Sequence, residues 1–317
     1  MRILVTGAAG FVGSNVVHEA VARGHDVVGL VRSEPVRPEP RCTYVAADLL
    51  DRRRTSAIVS RADSEAIVHT AILNDLTRLY SERQLAWDSY VGATRTLVDA
   101  ANASGALLVT VSTDWVFDGR EGGYDESAPP NPLNLYGFLK AASEIVTLER
   151  ARAGAVARIA GVMGTHRARP SLPRGQDAGF GYFVASMVDA LERGEPFAVW
   201  ESDAINMRAT PSLASHSARL LLDVCERRLT GTFHCVCRET TTRMQLALAA
   251  AEVFGLDPSL LRSVPPDSTA LPPVAVPYDT SLVAARTAAA LETRLPGVRE
   301  LLGRFREERA EVAGARA

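Results

Sequence analysis

The sequence predicts an α/β fold in which a doubly wound parallel sheet is followed by a smaller C-terminal substrate-capping domain. An apolar strand, Arg2–Thr6, leads directly into the glycine-rich segment TGAAGFVG and a helical pattern through about residue 23. Strands and helices then alternate up to about residue 165, which is typical of a parallel sheet covered on both faces. Beyond that point the composition changes to the loop-like segment THRARPSLPRGQDAGFGYF, rich in Arg, Pro and Gly. Together these observations indicate a Rossmann-type sheet with a cap.

Length and charge limit the classes of protein to which this chain can belong. It has 317 residues, 47% of them hydrophobic, enough for one large core or two modest ones. The formal net charge of -2 argues against electrostatic binding to nucleic acid or a membrane surface, since both need a basic face. No apolar run reaches the roughly 20 residues that span a bilayer, and MRILVTG has no signal-peptide pattern. We therefore expect a cytoplasmic enzyme that acts on a small molecule.

The cysteines do not indicate a metal site or a disulfide framework. Cys42, Cys225, Cys235 and Cys237 form no CxxC pair and lack the spacing of secreted domains. Cys235 and Cys237 follow His234, a combination that can bind zinc, but FHCVC also has the alternation of a strand. Because zinc needs further ligands at suitable spacing, we favour the strand and expect no metal.

The glycine segment after the first strand predicts a dinucleotide-binding turn. Gly7, Gly10 and Gly13 allow a tight turn and a close approach of the backbone to a pyrophosphate. Phe11 and Val12 open the following helix, whose N-terminus favours the negative charge of that group. Strand, turn and helix occur in the required order.

The end of the second strand, predicted over residues 25–31, indicates which dinucleotide is bound. An acidic residue there would favour NAD, whereas this strand runs into Arg32 and Ser33. A guanidinium and a hydroxyl suit a 2'-phosphate, so we expect NADP(H). The alternative is a solvated arginine at a strand end.

Two further strands end in residues expected near the cofactor. The third, over residues 44–48, ends in Asp48 and Leu49, and the fourth, over residues 65–70, ends in His69, Thr70 and Ala71. In a doubly wound sheet the ligand lies at the carboxyl ends of the strands. We therefore place both ends at the cofactor site.

The segment VSTDWVFDGREGGYDESAPPNPLNLYGFLK, residues 111–140, contains the most specific chemistry in the chain. Tyr136 and Lys140 are four residues apart and share a helix face, so an ammonium can lie beside a phenol. A phenol has a pKa near 10, and the nearby positive charge stabilises its ionised form. Thr113, at the end of an apolar strand, is positioned to hydrogen-bond a substrate oxygen beside the phenol. The three residues suit the interconversion of a carbonyl and an alcohol.

With STDWVFDG followed by YGFLK, and with its GxxGxxG spacing, the sequence resembles the extended short-chain dehydrogenase/reductase family, in its dTDP-4-dehydrorhamnose reductase-like branch. The resemblance implies that Asp48 and Leu49 lie against the adenine and that the substrate is a keto sugar bound to a nucleotide or a related glycosyl ketone. It also implies that the helices flanking Tyr136 and Lys140 form the face of a homodimer.

Two residues depart from the family pattern. Tyr90, in YVGATRTLVDAA, occupies a position that usually holds an Asn that helps to order the active site. Trp115 stands where the reductase branch usually has Tyr. The substrate can therefore differ from that of the branch.

Several residues are candidates for substrate binding. Asp114 and Trp115 directly follow Thr113. In the loop after the cofactor domain, Arg167, Arg169 and Arg174 can receive a diphosphate or another anion, although a solvated loop explains them equally well.

One further arginine comes from the resemblance. Arg208 corresponds loosely to positions that hold a sugar nucleotide in related enzymes. It is a second candidate for anion binding.

The predicted domains are a cofactor domain over residues 1–165, with a return segment over 204–236, and a cap over 166–203 and 237–317. Further helices are predicted over residues 90–101, 180–193, 211–228 and 240–255, and further strands over 106–111, 155–159 and 232–236. A proline-rich run over 264–277 links to terminal helices.

Our main hypothesis is an NADPH-dependent reductase of a keto group. NADPH delivers hydride, Tyr136 protonates the oxygen, Lys140 lowers the pKa of Tyr136, and Thr113 positions the carbonyl. One alternative is an epimerase or dehydratase of nucleotide sugars that retains NAD, against which Arg32 argues mildly. The other is a non-catalytic NADP-binding regulatory subunit, in which the fold is kept without turnover.

Overall fold

The computed structural model describes residues 1–73, 75–169, 175–181 and 183–314. The strands are β1 (Arg2–Thr6), β2 (Asp26–Val31), β3 (Cys42–Ala46), β4 (Ala66–His69), β5 (Leu107–Thr113), β6 (Gly154–Ile159), β7 (Val162–Met163), β8 (Phe197–Trp200), β9 (Arg208–Ala209), β10 (Ser212–Leu213), β11 (Gly231–His234), β12 (Thr241–Thr242) and β13 (Leu261–Val264). The α-helices are α1 (Phe11–Ala22), α2 (Arg52–Ala62), α3 (Leu76–Ser81), α4 (Arg83–Trp87), α5 (Ala93–Ser104), α6 (Leu135–Arg150), α7 (Phe183–Glu192), α8 (Ala214–Glu226), α9 (Arg243–Phe254), α10 (Ala285–Ala290) and α11 (Val298–Gly314). A π-helical turn covers Asp88–Gly92, and 3-10 turns cover Asp114–Val116, Pro258–Leu260 and Ser268–Ala270.

A seven-stranded sheet lies at the centre of the molecule, in the order β11-β6-β5-β4-β1-β2-β3. Every neighbouring pair in it is parallel. All residues of β4, β5 and β6 are buried, as expected for parallel strands covered on both faces. The predicted doubly wound α/β fold is therefore confirmed.

The strand order reverses direction beside β1. This reversal determines where a ligand can bind at the edge of the sheet. The chain winds outward from β1 through β2 to β3, returns to place β4 on the other side of β1, and continues through β5, β6 and β11. β1 and β4 are paired in parallel, and Thr6 of β1 lies opposite His69 of β4. The carboxyl ends of β1 and β4 thus border the crevice in which doubly wound sheets bind ligands.

Helices bury an apolar layer on each face of the sheet. On one face α1 and α8 pack with the sheet around side chains that include Val5, Val16, Val109, Leu221 and Phe233. On the other face α2 and α5 pack around side chains that include Leu4, Val59, Ile67, Leu97 and Leu108. The two layers hold the strand ends in fixed positions.

A second core lies outside the central sheet. It is built from α7, α9 and α11 around buried side chains such as Phe183, Met187, Leu246, Leu301 and Phe305. The strands β8 and β13 form a small parallel pair beside it. This core matches the smaller capping domain of the predicted fold class.

The exact domain limits remain a prediction. Within the segment 237–317 that was assigned to the cap, Leu282, Ala284 and Leu291 pack into the core of the central sheet. Phe305, from the same segment, packs into the second core. The terminal segment therefore contacts both cores.

Some predicted boundaries differ from the structure. The helix expected from residue 90 begins as a π-helical turn. The sequence did not predict this turn, because apolar spacing does not distinguish it from α-helix. The helix expected from residue 211 begins at Ala214, since Ser212 and Leu213 pair with β7. The third strand ends at Ala46, so Asp48 lies in the turn after it. No helix among the described residues has the length and apolar character to cross a membrane.

Candidate functional site

The turn after β1 brings its glycines against the end of β4. A Cβ on Gly13 would lie 2.2 Å from the Gly7 carbonyl oxygen and 2.7 Å from Thr70 Oγ1. At Gly7, with a φ of +67°, a Cβ would lie 2.8 Å from Ala71 Cα. Larger residues would push the turn away from β4, so only glycine permits this close approach. The structure thus brings together Gly7, Gly13, Thr70 and Ala71.

The N-terminus of α1 opens toward the same crevice. Gly10 caps the helix without a side-chain hydrogen bond, and its own N–H donates to the Gly7 carbonyl at 2.7 Å. Phe11 and Val12 form the first helical positions and are half-buried. Backbone N–H groups at such a helix start bind phosphate. The residues present therefore fit the diphosphate of a dinucleotide.

The predicted adenosine-side residues lie at the ends of the next two strands. Arg32 and Ser33 follow β2 and are exposed, while Asp48 is exposed and Leu49 half-buried after β3. Because β2 and β3 are parallel neighbours with Val31 opposite Ala46, these residues lie on one edge of the sheet.

Thr113 ends β5 and is buried against its own neighbours. Its hydroxyl donates to Asp114 Oδ1 at 3.0 Å and accepts from the Trp115 N–H at 3.3 Å. The other carboxylate oxygen of Asp114 accepts a hydrogen bond from the Thr280 hydroxyl. Both Asp114 oxygens are therefore engaged within the protein, and the Thr113 hydrogen points at Asp114.

The pKa of the Asp114 carboxyl is raised in this environment. Burial raises its pKa to about 6, and the hydrogen bonds from Thr280 and Thr113 oppose that rise by favouring the carboxylate. The group can therefore exchange a proton near pH 6.

Asn134 and Gly137 fix the start of α6 and with it the position of Tyr136. The Asn134 side chain accepts from the Gly137 N–H at 2.9 Å and donates to the Ala275 carbonyl at 3.0 Å. A Cβ on Gly137 would lie 2.1 Å from the Trp115 carbonyl oxygen, so the helix touches the turn after β5 at this point. The half-buried Tyr136 ring lies edge-on to the Trp115 ring, with 6.0 Å between centroids.

Lys140 lies in the interior, one turn further along α6 than Tyr136. It is 7% exposed, and its Nζ donates to the Val111 carbonyl at 2.8 Å. The same Nζ lies 5.6 Å from the centroid of the Tyr90 ring. Burial lowers the pKa of Lys140 to about 8, against a smaller opposing effect of Glu144. The ammonium form therefore still predominates at neutral pH.

The amino-acid composition also sets Lys140 apart from the other basic residues. Lys140 is the only lysine in the sequence, and all the other residues among its 35 lysines and arginines are arginine. A guanidinium stays charged at any working pH, whereas the pKa of an ammonium shifts readily on burial.

Two other residues at the site carried no local sequence signal for their contacts. Thr280, which holds Asp114, lies 166 residues away along the chain. His69, at the end of β4, forms a hydrogen bond between its Nδ1 and Thr6 Oγ1 at 2.7 Å. Burial, with a smaller effect of Lys140, lowers its pKa to about 3, so its ring stays neutral.

The predicted anion-binding arginines fall in two places. Arg208 is exposed and forms an ion pair with Asp279 at 3.2 Å, next to the Thr280 that contacts Asp114. Arg167 lies elsewhere, beside α1, where its backbone N–H donates to the Ser14 hydroxyl at 3.3 Å. Arg169 is exposed beside it and donates to the His166 ring at 3.1 Å. Arg174 lies outside the described residues.

Among the described residues, no group of three or more His, Cys, Asp or Glu side chains is arranged to hold a metal ion. Cys235 and Cys237 are buried, and burial raises the pKa of both thiols, that of Cys237 to about 12. They are neutral side chains of the interior.

Comparison with known proteins adds to this geometry. A sequence profile of the RmlD substrate binding domain matches residues 1–310. The chain is 29% identical over 267 residues to methionine adenosyltransferase 2 subunit beta of Danio rerio, covering 82% of this chain and 76% of that protein. It is 28% identical over 264 residues to the Haloferax volcanii protein named "Probable low-salt glycan biosynthesis reductase Agl14", covering 83% of each.

A solved structure shares the whole fold. The dTDP-4-dehydrorhamnose reductase of Bacillus anthracis, determined in complex with NADP, superposes with a TM-score of 0.79 at 21% identity. The match covers 97% of this chain and 99% of that one.

Proposed function

The chain belongs to the RmlD substrate binding domain family, and we propose that it is an NADPH-dependent reductase of a keto group on a deoxysugar nucleotide or a related glycosyl intermediate. The membership confirms the resemblance indicated by the STDWVFDG and YGFLK segments. The proposal goes further than membership, because it assigns a reaction and a class of substrate.

One observation supports the reaction above all others. A single buried ammonium, Lys140, lies one helical turn from a half-buried phenol, Tyr136, and is hydrogen-bonded to the strand that ends in Thr113. That strand, β5, is next to β4, which is next to β1 and its glycine turn. The residues proposed to donate the proton and to bind the dinucleotide therefore lie at the same edge of the sheet.

The proposed roles follow from these positions. A bound nicotinamide cofactor supplies the hydride that reduces the carbonyl carbon. The Tyr136 hydroxyl gives its proton to the carbonyl oxygen as that oxygen gains charge, so the product is an alcohol. The Lys140 ammonium stabilises the phenolate that remains on Tyr136.

The remaining predicted site residues are proposed to contact the substrate, and several of them already have hydrogen-bond partners within the protein. Thr113 can donate to the substrate oxygen only after its hydrogen turns away from Asp114, and a protonated Asp114 favours that turn. Trp115 is proposed to contact the sugar. Arg208, which already pairs with Asp279 at 3.2 Å, is proposed to contact an anionic group. Arg167 and Arg169 are proposed to meet an anionic group on the α1 side of the site.

The reaction is tested with purified protein, NADPH and a panel of nucleotide-bound and free keto sugars, by following the absorbance of the reduced nicotinamide. We expect stoichiometric oxidation of NADPH and formation of the alcohol with a nucleotide-bound keto sugar. If none of the panel is reduced although NADPH binds, the reductase proposal is wrong.

The cofactor preference is tested at Arg32. We propose that Arg32 and Ser33 bind the 2'-phosphate, as the relative from Bacillus anthracis was solved with NADP. Charge-assisted hydrogen bonds contribute about 1.5–3 kcal/mol, so Arg32→Ala is expected to weaken NADPH binding by roughly 10–100-fold and to leave NADH binding nearly unchanged. Fluorescence titration with each cofactor measures both constants.

The control for this experiment is Arg193→Ala, which removes an exposed arginine that pairs with Glu195 in the cap. It should change neither constant. An Arg32→Ala protein that loses the same affinity for both cofactors would show that Arg32 does not contact the 2'-phosphate.

A second candidate function is a regulatory subunit that binds NADP without turnover. The observation that favours it is the 29% identity to a subunit of a methionine adenosyltransferase. The presence of Thr113, Tyr136 and Lys140 together weighs against it. NADPH binding without reduction of any ketone, together with co-purification of another enzyme whose activity changes on binding, would establish this function instead.

The remaining alternative, an epimerase or dehydratase of nucleotide sugars, is distinguished by its cofactor. Such an enzyme would purify with NAD bound and would convert its substrate without added reductant. Extraction of the purified protein and chromatography of the released nucleotide provide this test.

A homodimer is proposed through the exposed face of α6. Phe138 and Ile145 on this helix are 51% and 59% exposed, and Leu148 is 37% exposed. Large apolar side chains exposed on one helix are the kind of surface at which protein contacts form. We expect a dimer by light scattering at micromolar concentration, and a monomer after Phe138→Glu with Ile145→Glu. A wild-type monomer at that concentration would rule out the proposed interface.

A further inference from the structure

The ring of Tyr90 lies against the only lysine of the chain. The Lys140 Nζ is 5.6 Å from the centroid of that ring, within the range in which a cation is attracted to an aromatic face. The same ring meets the Tyr136 ring edge-on, with centroids 6.2 Å apart and planes at 82°. One buried aromatic side chain therefore contacts both members of the proposed proton-donating pair.

The position of Tyr90 is fixed by its hydroxyl and its backbone. The phenol donates to the Leu73 carbonyl at 3.1 Å, so the ring cannot rotate away from Lys140 without losing this bond. Tyr90 belongs to the π-helical turn Asp88–Gly92, a local departure from α-helix that is frequent at functional sites. The Tyr90 carbonyl accepts from the Thr94 hydroxyl at 2.7 Å, which satisfies the backbone in this turn.

We propose that Tyr90 is a positioning residue that holds the Lys140 ammonium and keeps it charged through the face of its ring. This inference rests on the role proposed for Lys140 but can be tested without turnover. It assigns a function to a tyrosine that stands where the family pattern usually has an Asn.

The other groups around Lys140 supply only part of the stabilisation of its ammonium. His69 on β4 is neutral, because burial lowers its pKa to about 3. Glu144, on the same helix as Lys140, favours the ammonium, but both of its oxygens accept hydrogen bonds from Arg158, at 3.0 and 2.8 Å. The Val111 carbonyl accepts one Nζ hydrogen. Burial raises the pKa of Tyr90, so its ring faces Lys140 as a neutral phenol.

The test uses the single lysine directly. Protein labelled with carbon-13 at the lysine ε position gives one side-chain signal, whose shift between pH 6 and 11 reports the pKa of Lys140 in the full chain without substrate or cofactor. Tyr90→Phe keeps the ring face and removes the hydroxyl, and we expect a pKa within about 0.3 unit of the wild type. Tyr90→Met and Tyr90→Leu remove the ring, and we expect the pKa to fall by about 0.5–1 unit.

Two comparisons decide the outcome. Phe305→Leu removes a fully buried ring from the second core and should lower the melting temperature without moving the Lys140 pKa. Tyr90→Met retains most of the side-chain volume, so it remains informative if Tyr90→Leu fails to fold. An unchanged or raised Lys140 pKa in Tyr90→Met would overturn the proposal, as would a fall in Tyr90→Phe as large as in Tyr90→Met. Neither result would bear on whether the protein reduces ketones.

Discussion

Replacement of Tyr136 by Phe is expected to slow ketone reduction by about 10²–10⁴-fold, the range for loss of a positioned proton donor. The substitution removes the hydroxyl and keeps the ring that packs edge-on to Trp115 and Tyr90. Because the ring contacts remain, we expect the fold and the NADPH affinity to change little. Single-turnover measurement with bound NADPH separates the chemical step from binding.

A matched control is Tyr124→Phe. Tyr124 stacks on Phe117 with 4.1 Å between ring centroids and donates its phenol to Asp118 at 2.9 Å, so the change removes one phenol hydroxyl outside the proposed site. Its rate should stay within about twofold of the wild type. A Tyr136→Phe protein that reduces its substrate at the same rate as this control would refute the role of proton donor.

Local patterns allowed the cofactor turn and the Tyr136 and Lys140 pair to be predicted from sequence. In the turn, Gly7 and Gly13 are six positions apart and follow a strand, so their geometry is set within one short segment. Tyr136 and Lys140 share a face of one helix. Each prediction needed only the regular geometry of a strand, a turn or a helix.

The contacts that complete the site depend on packing between distant segments. Thr280 reaches Asp114 across 166 residues, and no periodicity in the sequence links them. The orientation of the Thr113 hydroxyl depends on the same packing. The sequence predicts that this hydroxyl faces the substrate, whereas in the structure it donates to Asp114. The contact of Tyr90 with Lys140 likewise depends on a π-helical turn, which apolar spacing does not reveal. Sequence located these residues, but their partners required the structure.

Replacement of Lys140 by Met is expected to lower the rate of reduction by about 10²-fold or more and, at the same time, to stabilise the protein. The rate falls because the phenolate left on Tyr136 loses its neighbouring positive charge. The stability rises because burial lowers the pKa of Lys140 from 10.5 to about 8, so keeping the ammonium charged at pH 7 costs the folded state free energy. At 1.36 kcal/mol per pKa unit, this cost is at most about 3 kcal/mol.

The pH dependence of unfolding gives the sign of this effect. Between about pH 8 and 10.5 the unfolded chain binds the Lys140 proton and the folded chain does not, so the wild-type free energy of unfolding rises with pH in this window. The destabilisation by the buried ammonium is therefore complete below pH 8 and is gone by about pH 10.5. Lys140→Met lacks that destabilisation, and its advantage in stability should therefore be largest below pH 8 and shrink toward pH 10.5. Urea unfolding at a series of pH values measures the difference between the two proteins. A Met variant that is less stable than the wild type at pH 7 would contradict the cost assigned to the buried ammonium. A Met variant that is equally active would contradict the catalytic role of Lys140.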